Sequence, residues 1–391
     1  MIKKYKILVT GGHLTPALAT IDELRASLNT EEEVEFVWLG RRLTQQKTGQ
    51  QSHEEKEMKK RGIRFIDIES GKSGEKPWQI IIKVSKAITK IKRILKEGRF
   101  DLVLSFGGYL GVPAGRAAQA LKIPIVTHEQ TRVLGQANRY LAKIAKVVAL
   151  SYPEEKKTGL PKKKQWQKFI LTGNPLRQDL FQENNSAPSW WPKKDDNAFS
   201  KKLPIFYVSG GSQGAQAINA ALIKIIPELS QRFLIIHQVG AATKEHDFVK
   251  EYQMMAEKTG VKMENYLVRP YLESDELRFL YPKIDMAMAR AGANTVAELT
   301  AFTIPTLYIP LPLANYDEQR LNAEYYVKQK MATMILQKDL TTETLLKEIN
   351  FLAENYQSMK NNLRKLNIQT NQGTKNLVVI IKNVLEKKDG F

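Results

Sequence analysis

Residues 283–298 read KIDMAMARAGANTVAE, an apolar run that breaks at Ala291-Gly292 and resumes as a helix-forming segment with a carboxylate inside it. A short apolar strand, a glycine and then a helix start together predict a parallel β–turn–α unit. The strand ends near Ala289 and the helix begins past Gly292. The first N–H groups of such a helix have no intrahelical partner and form the positive end of its dipole, so Ala293, Asn294 and Thr295 can present donors to a diphosphate. Glu298 lies about one turn further on, where a carboxylate can accept hydrogen bonds from vicinal hydroxyls such as those of a ribose. Taken alone, without the surrounding pattern, Glu298 reads better as an exposed helical carboxylate.

Outward from this stretch the same rhythm repeats. PIFYVSGG, RFLIIHQVG and NYLVRPYL precede it and IPTLYIP follows, all separated by helical patterns, while the first half carries KILVT, VEFVWLG, DLVLSFGG, IPIVTHEQ and KVVALS. Strands alternating with helices predict an α/β chain with a parallel sheet, and two such series predict two sheets. Between the series, residues 182–202 (QENNSAPSWWPKKDDNAFSKK) have the composition of a linker or surface loop. The domains are read as residues 1–174 and 175–371. The tail beyond Leu340 reads as helices, and its last helix, about 372–391, can pack back to complete the first domain.

Three glycine-rich turns follow strands: Thr10-Gly11-Gly12-His13, Phe106-Gly107-Gly108-Tyr109, and the run from Ser209 through Ser212 to Ala215. A single Gly-Gly at a strand end is more often a tight turn than a ligand cradle. Three of them at carboxyl strand ends in two sheets point to phosphate-bearing ligands.

Composition narrows the classes further. The 391 residues contain no cysteine, which excludes disulfides, thiolate catalysis and cysteine-ligated metals, and five scattered histidines predict no metal site and no cofactor. No apolar stretch reaches the roughly 20 residues of a spanning helix, so the expectation is a soluble or peripheral, cytoplasmic protein. A formal charge of +19 predicts attraction to nucleic acid, acidic lipid or a phosphorylated substrate, although a lysine-rich solvated surface explains it as well. No nucleic-acid recognition module accompanies the charge, and nucleic acid is not expected as a partner. From Trp78 to Gly98, Ile81, Val84, Ile88, Ile91 and Leu95 recur at helical spacing, with Lys83, Lys86, Lys90 and Arg93 on another face. Such a basic amphipathic helix can cover a sheet, enter an anionic membrane surface, or do both.

KILVTGGH…TPALA, FGGYLGVPAG, IPIVTHEQ, LTGNPLR, VSGGSQGAQAIN, ARAGANTVAEL and DEQRLNA together resemble, in order and spacing, the MurG family of peptidoglycan N-acetylglucosaminyltransferases, over roughly Lys6 to Ala323. The resemblance implies a GT-B fold, two Rossmann-like doubly wound parallel-sheet domains facing across a cleft. It implies inverting transfer of GlcNAc from UDP-GlcNAc to the undecaprenyl-linked acceptor lipid I, making lipid II at the cytoplasmic face of the anionic inner membrane surface. Donor contacts would fall on Thr10, Gly11, Gly12, Arg177 and Ser212, with Leu272 at the uracil, Ala293, Asn294, Thr295, Val296, Ala297 and Glu298 along diphosphate and ribose, and Gln319 at the GlcNAc hydroxyls. Acceptor contacts would come from Tyr109, His128, Gln130 and Thr131, and the base would be His13 or Glu129. The first glycine loop is shorter than the family's usual Gly-Gly-Thr-Gly-Gly-His, Thr131 stands at a usual asparagine, and Glu318 adds a carboxylate beside Gln319. A UDP-GlcNAc 2-epimerase-like enzyme and a non-catalytic UDP-sugar-binding protein are the other readings of the same motifs.

Overall fold

Apolar residues at alternating positions of the strands face opposite sides of a sheet, so a strand that is apolar on both sets of positions needs cover on both faces. The computed structural model describes residues 2–42, 52–71, 76–153, 168–192, 203–211, 214–241, 246–260, 265–312, 317–366 and 372–387. They form two units: residues 1–178 with 371–391, and residues 179–370.

In the first unit β1 (Lys3–Thr10), β2 (Glu32–Gly40), β3 (Arg64–Asp67), β4 (Leu102–Ser105), β5 (Ile125–Glu129), β6 (Val147–Leu150) and β7 (Phe169–Leu171) form a parallel sheet in the order β3-β2-β1-β4-β5-β6-β7. Ile7, Val9, Trp38, Leu102 and Leu104 enter one core, whereas Leu8, Val37, Leu39 and Val103 enter the other. The first core is covered by the helices Leu14–Ala26 and Gly373–Leu385, the second by Pro77–Gly98, Gly111–Ala120 and Gln136–Ile144.

The helix Pro77–Gly98 does two things along its length. Its second half buries Ala87, Ile91 and Leu95 against the sheet, while Trp78, Ile81 and Ile82 in its first two turns stay exposed, Ile81 at 65%.

The helix Gly373–Leu385 belongs to the first sheet although it comes last in the chain. Leu377, Val378, Ile380, Ile381, Val384 and Leu385 complete the core around Ile7 and Trp38. The Thr374 hydroxyl donates to the Leu176 carbonyl at 2.5 Å, and Asn376 Nδ2 donates to that of Thr172 at 3.0 Å. Both bonds grip the segment TGNPL.

In the second unit β8 (Ile205–Ser209), β9 (Leu234–Gln238), β10 (Tyr266–Arg269), β11 (Met286–Ala289), β12 (Thr306–Tyr308) and β13 (Ala332–Met334) form a parallel sheet ordered β10-β9-β8-β11-β12-β13. Each sheet thus runs outward from its first strand in one direction and then restarts on the other side of it. The reversal falls between β1 and β4 in one sheet and between β8 and β11 in the other, and at such a point the outgoing loops diverge and leave a crevice at the carboxyl ends.

His237 of β9 is wholly buried, with Nε2 3.1 Å from Asn219 Oδ1 and Nδ1 3.0 Å from the Tyr266 hydroxyl. An amide oxygen only accepts, so Nε2 carries the proton and Nδ1 receives that of the tyrosine. Burial lowers the pKa of His237 to about 3, and that of His128 in the first unit likewise to about 3. The unfolded chain binds these protons near pH 6.5 and the folded chain does not, so stability is full above that pH and is lost as pH falls toward 3. Each unit is expected to lose about 1.4 kcal/mol per pH unit below 6.5 from its buried histidine. Thermal melts at pH 7.0, 6.0 and 5.0 read this directly, and a melting temperature that is flat across that range contradicts it.

Candidate functional site

At the first reversal the loops after β1 and β4 lie backbone against backbone. A Cβ on Gly12 would stand 2.4 Å from the Gly108 nitrogen, and one on Gly108 would stand 2.6 Å from the Gly12 Cα. Gly108 also has a φ of 74°. This contact accounts for glycine at both positions, and Gly11 backs onto the Trp38 indole. Thr10 is fully buried, its hydroxyl donating to Ser105 Oγ at 2.9 Å, so its side chain ties β1 to β4 and only its main chain is available to a ligand.

His13 follows at the amino end of the helix Leu14–Ala26, but its ring makes no capping hydrogen bond. Burial lowers its pKa, an effect the nearby Glu129 carboxylate partly offsets. At neutral pH the ring is therefore a neutral imidazole, the form that accepts a proton. Tyr109 is 36% exposed beyond Gly108, with its phenol pushed up to about 12, chiefly by burial and then by the Glu54 carboxylate. It is a hydrogen-bond donor at physiological pH.

The end of β5 is a dense polar knot. Glu129 Oε1 accepts from the Thr131 N–H at 3.0 Å and lies 2.9 Å from the Thr131 hydroxyl, while Oε2 accepts from Gly135 N–H at 2.8 Å and Asn138 Nδ2 at 2.9 Å. With three N–H donors on its two oxygens and a share in the one Thr131 hydroxyl proton, the carboxylate holds the β5 loop in shape, and a proton-accepting role for Glu129 would require that network to break. Thr131 thereby has a structural job, buried among these bonds and also 2.7 Å from the Val133 carbonyl oxygen. His128 is 1% exposed, its Nε2 3.3 Å from the Gly173 carbonyl and 3.2 Å from Ser151 Oγ. It buttresses the knot from below. Among the described residues His128 Nδ1 and the buried Gln130 Oε1 have no hydrogen-bond partner, which marks Gln130 as a group with bonding capacity in reserve.

The second reversal is built differently. The β11 strand ends at Ala289, and the helix Ala293–Ala301 starts behind Gly292, whose φ is −64°. That backbone suits any residue, and among the described residues no atom beyond the two chain neighbours lies within 4 Å of where a Cβ would be. Among the described residues nothing demands glycine there; an open space at a helix amino end does, if a ligand fills it. Val296 and Ala297 are buried, so their share in any contact is through the main chain, whereas Asn294, Thr295 and Glu298 are half-buried. The Tyr281 hydroxyl donates to Glu298 Oε2 at 2.7 Å. Leu272 is fully buried just beyond β10 and likewise has only its main chain to offer a base. Gln319, in the helix Glu318–Lys328, accepts the Leu311 N–H at 2.9 Å through Oε1, which turns its amide N–H end toward other uses. Arg177 is half-buried between β7 and the 3-10 turn Gln178–Phe181, and Ser212 lies outside the described residues.

Three residues that sequence reasoning passed over support this turn and the β5 knot. Arg290 is buried, with Nη1 donating to the Ile309 and Pro310 carbonyls at 3.0 and 3.2 Å and Nη2 to Gln337 Oε1 at 2.7 Å. Asn322 Nδ2 donates to the Ala291 carbonyl at 3.2 Å, tying the motif DEQRLNA to ARAGA. Asn138 receives the Thr127 hydroxyl at 2.7 Å while donating to the His128 carbonyl and to Glu129. The signal for Arg290 was in the sequence, since a charge at the end of the small-residue run MAMA must be bonded if it is buried.

Residues 10–150 match the model of the glycosyltransferase family 28 N-terminal domain, and residues 205–378 that of its C-terminal domain. A relative from Limosilactobacillus fermentum, 34% identical over 348 residues (88% of this chain and 87% of that protein), is the UDP-N-acetylglucosamine--N-acetylmuramyl-(pentapeptide) pyrophosphoryl-undecaprenol N-acetylglucosamine transferase. The crystal structure of Acinetobacter baumannii MurG superposes with a TM-score of 0.71 at 26% identity, covering 97% of this chain and 99% of that one. A UDP-N-acetylglucosamine 2-epimerase structure from Listeria monocytogenes reaches a TM-score of 0.65 at 15% identity, covering 99% of this chain and 98% of that one, a likeness of fold alone. With two reversed parallel sheets, glycine turns at both reversals and relatives of this kind along most of its length, the chain belongs to the MurG family of GT-B glycosyltransferases.

Proposed function

We propose that the protein moves N-acetylglucosamine from UDP-GlcNAc to lipid I, the undecaprenyl-pyrophosphoryl N-acetylmuramoyl-pentapeptide, giving lipid II with inversion at the anomeric carbon. The observation that carries the reading is the turn at Gly292, where open space faces the amino end of the helix Ala293–Ala301 and the Glu298 carboxylate lies about one turn further along, an order that suits diphosphate and then ribose. Leu272 lends main-chain bonds to the uracil, and Gln319 gives amide donors to the sugar hydroxyls. Thr10, Gly11 and Gly12 contribute main-chain contacts, and Ser212, outside the described residues, is a further donor-binding position by its place in the sequence.

In the transfer, an acceptor hydroxyl oxygen bonds to the anomeric carbon as the bond from that carbon to the UDP oxygen breaks. His13 takes the hydroxyl proton. The negative charge gathering on the departing diphosphate is met by the helix amino end and by the Arg177 guanidinium, a bidentate charge-assisted donor. Tyr109, Gln130 and the loop shaped by Glu129, Thr131 and His128 receive the acceptor.

No helix among the described residues is long and apolar enough to cross a membrane. A peripheral seat at the cytoplasmic face of an anionic membrane is supported by the exposed Trp78, Ile81 and Ile82, with Lys83, Lys86, Lys90 and Arg93 on the same helix. Incubation with lipid I analogue in detergent and UDP-GlcNAc tests the activity. Lipid II is expected, and UDP-ManNAc formed without acceptor would overturn the transfer.

Gly292→Ala is expected to weaken UDP-GlcNAc at least tenfold, on the order of 1.4 kcal/mol, while costing less than about 1 kcal/mol of fold stability; calorimetric titration beside a thermal melt separates the two. His13→Ala is expected to lower kcat about 100-fold or more with little change in donor KM. The acid limb of the wild-type kcat/KM profile should fall below pH 6.5, because burial keeps the neutral ring. Replacing Ile81 and Ile82 together by serine should reduce co-sedimentation with vesicles of phosphatidylglycerol and leave the melting temperature nearly unchanged, since both side chains are already in water.

A further inference from the structure

A short hydrogen bond to the proposed ribose-binding carboxylate comes from a residue with no assigned part in the reaction. Tyr281 opens the 3-10 turn Tyr281–Lys283, directly after the helix Ser274–Leu280, and is 4% exposed. Its ring meets Tyr207 edge-on at 6.3 Å and Phe302 at 5.1 Å, and Phe302 in turn stacks on Phe181 at 5.3 Å. An aromatic group packed on several sides cannot swing, so its hydroxyl is a fixed point. That hydroxyl is 2.7 Å from Glu298 Oε2. Glu298 has a flexible side chain, half-buried on the first turns of the helix Ala293–Ala301. A short bond to one of its oxygens fixes the plane of the carboxylate and with it the direction in which donors are received.

We propose that Tyr281 is a positioning residue for the sugar-nucleotide site: its hydroxyl holds Glu298 in the orientation that accepts the ribose hydroxyls, so donor affinity depends on it and the chemical step does not. This rests on the reading of Glu298 as the ribose acceptor. The phenol supplies no contact to the nucleotide itself. Its effect passes wholly through the carboxylate, and only a nucleotide with ribose hydroxyls should feel it.

The test measures the affinity of the full-length protein for UDP and for 2′,3′-dideoxy-UDP by calorimetric titration in wild type, Tyr281→Phe, Glu298→Ala and the double variant. Phenylalanine keeps the ring packing. Wild type is expected to prefer UDP by about tenfold or more, as hydrogen bonds to a charged group imply. Tyr281→Phe should lose most of that preference by weakening UDP while leaving the dideoxy nucleotide within about twofold, and the double variant should match Glu298→Ala alone. At saturating UDP-GlcNAc its kcat with a lipid I analogue should stay within about threefold of wild type. Equal weakening of both nucleotides by Tyr281→Phe would mean the phenol serves the fold alone, and unchanged UDP affinity would mean that Glu298 does not need it; either overturns the proposal. Equal weakening of both by Glu298→Ala would overturn the ribose reading itself, an outcome seen without touching Tyr281.

Discussion

Parallel strands put all their outgoing loops on one edge, and a chain that winds first one way and then the other from a central strand must part those loops somewhere. In each unit that parting is fixed by a single pair of neighbours, β1 with β4 and β8 with β11. The glycine turns, His13, the Gly292 gap and the helix Ala293–Ala301 all occur where the parting leaves the carboxyl strand ends uncovered. The two partings are used differently. In the first unit the loops collapse on one another through Gly12 and Gly108. In the second the turn holds back from its surroundings and leaves a gap that a diphosphate can enter.

Most of the central strands were legible because they are apolar on both sets of positions, the pattern that cover on both faces produces. The strands that escaped notice, Arg64–Asp67, Phe169–Leu171 and Ala332–Met334, are edge strands of three or four residues. An edge strand is half-clothed, and β3 and β7 contain no fully buried residue, so their sequences carry no such pattern. The site divides along a similar line. Glycine turns announce themselves because local backbone geometry is written in adjacent residues. The bonds from Thr10 to Ser105 and from Tyr281 to Glu298 join positions that only the fold brings together, and no spacing rule points from one to the other. Glu129 is instructive for the opposite reason: its place on the acceptor side made it a second candidate base, and the fold also gives its carboxylate three N–H donors that shape the β5 loop.

Charge in this protein is arranged on two scales. The excess of +19 is spread over the surface and favours anionic partners of any kind. Within the first unit's polar knot the logic is the reverse, since His128 is held neutral and the Glu129 carboxylate is wrapped in donors. Long-range attraction favours anionic partners, and the local network fixes the shape of the β5 loop.

The path of the chain has a consequence for its synthesis. The second unit, residues 179–370, is an insertion in the first, whose hydrophobic core lacks its Leu377, Val378, Ile381 and Val384 face until the helix Gly373–Leu385 arrives. At about 5–20 residues per second a ribosome needs roughly 10 to 40 s to make the intervening segment. During that interval the inserted unit can finish folding while the earlier one waits with part of an apolar sheet face, the part beside the helix Leu14–Ala26, uncovered. The part of the protein made first is therefore the part completed last, and it is the nascent amino-terminal sheet that needs shelter from aggregation on the way.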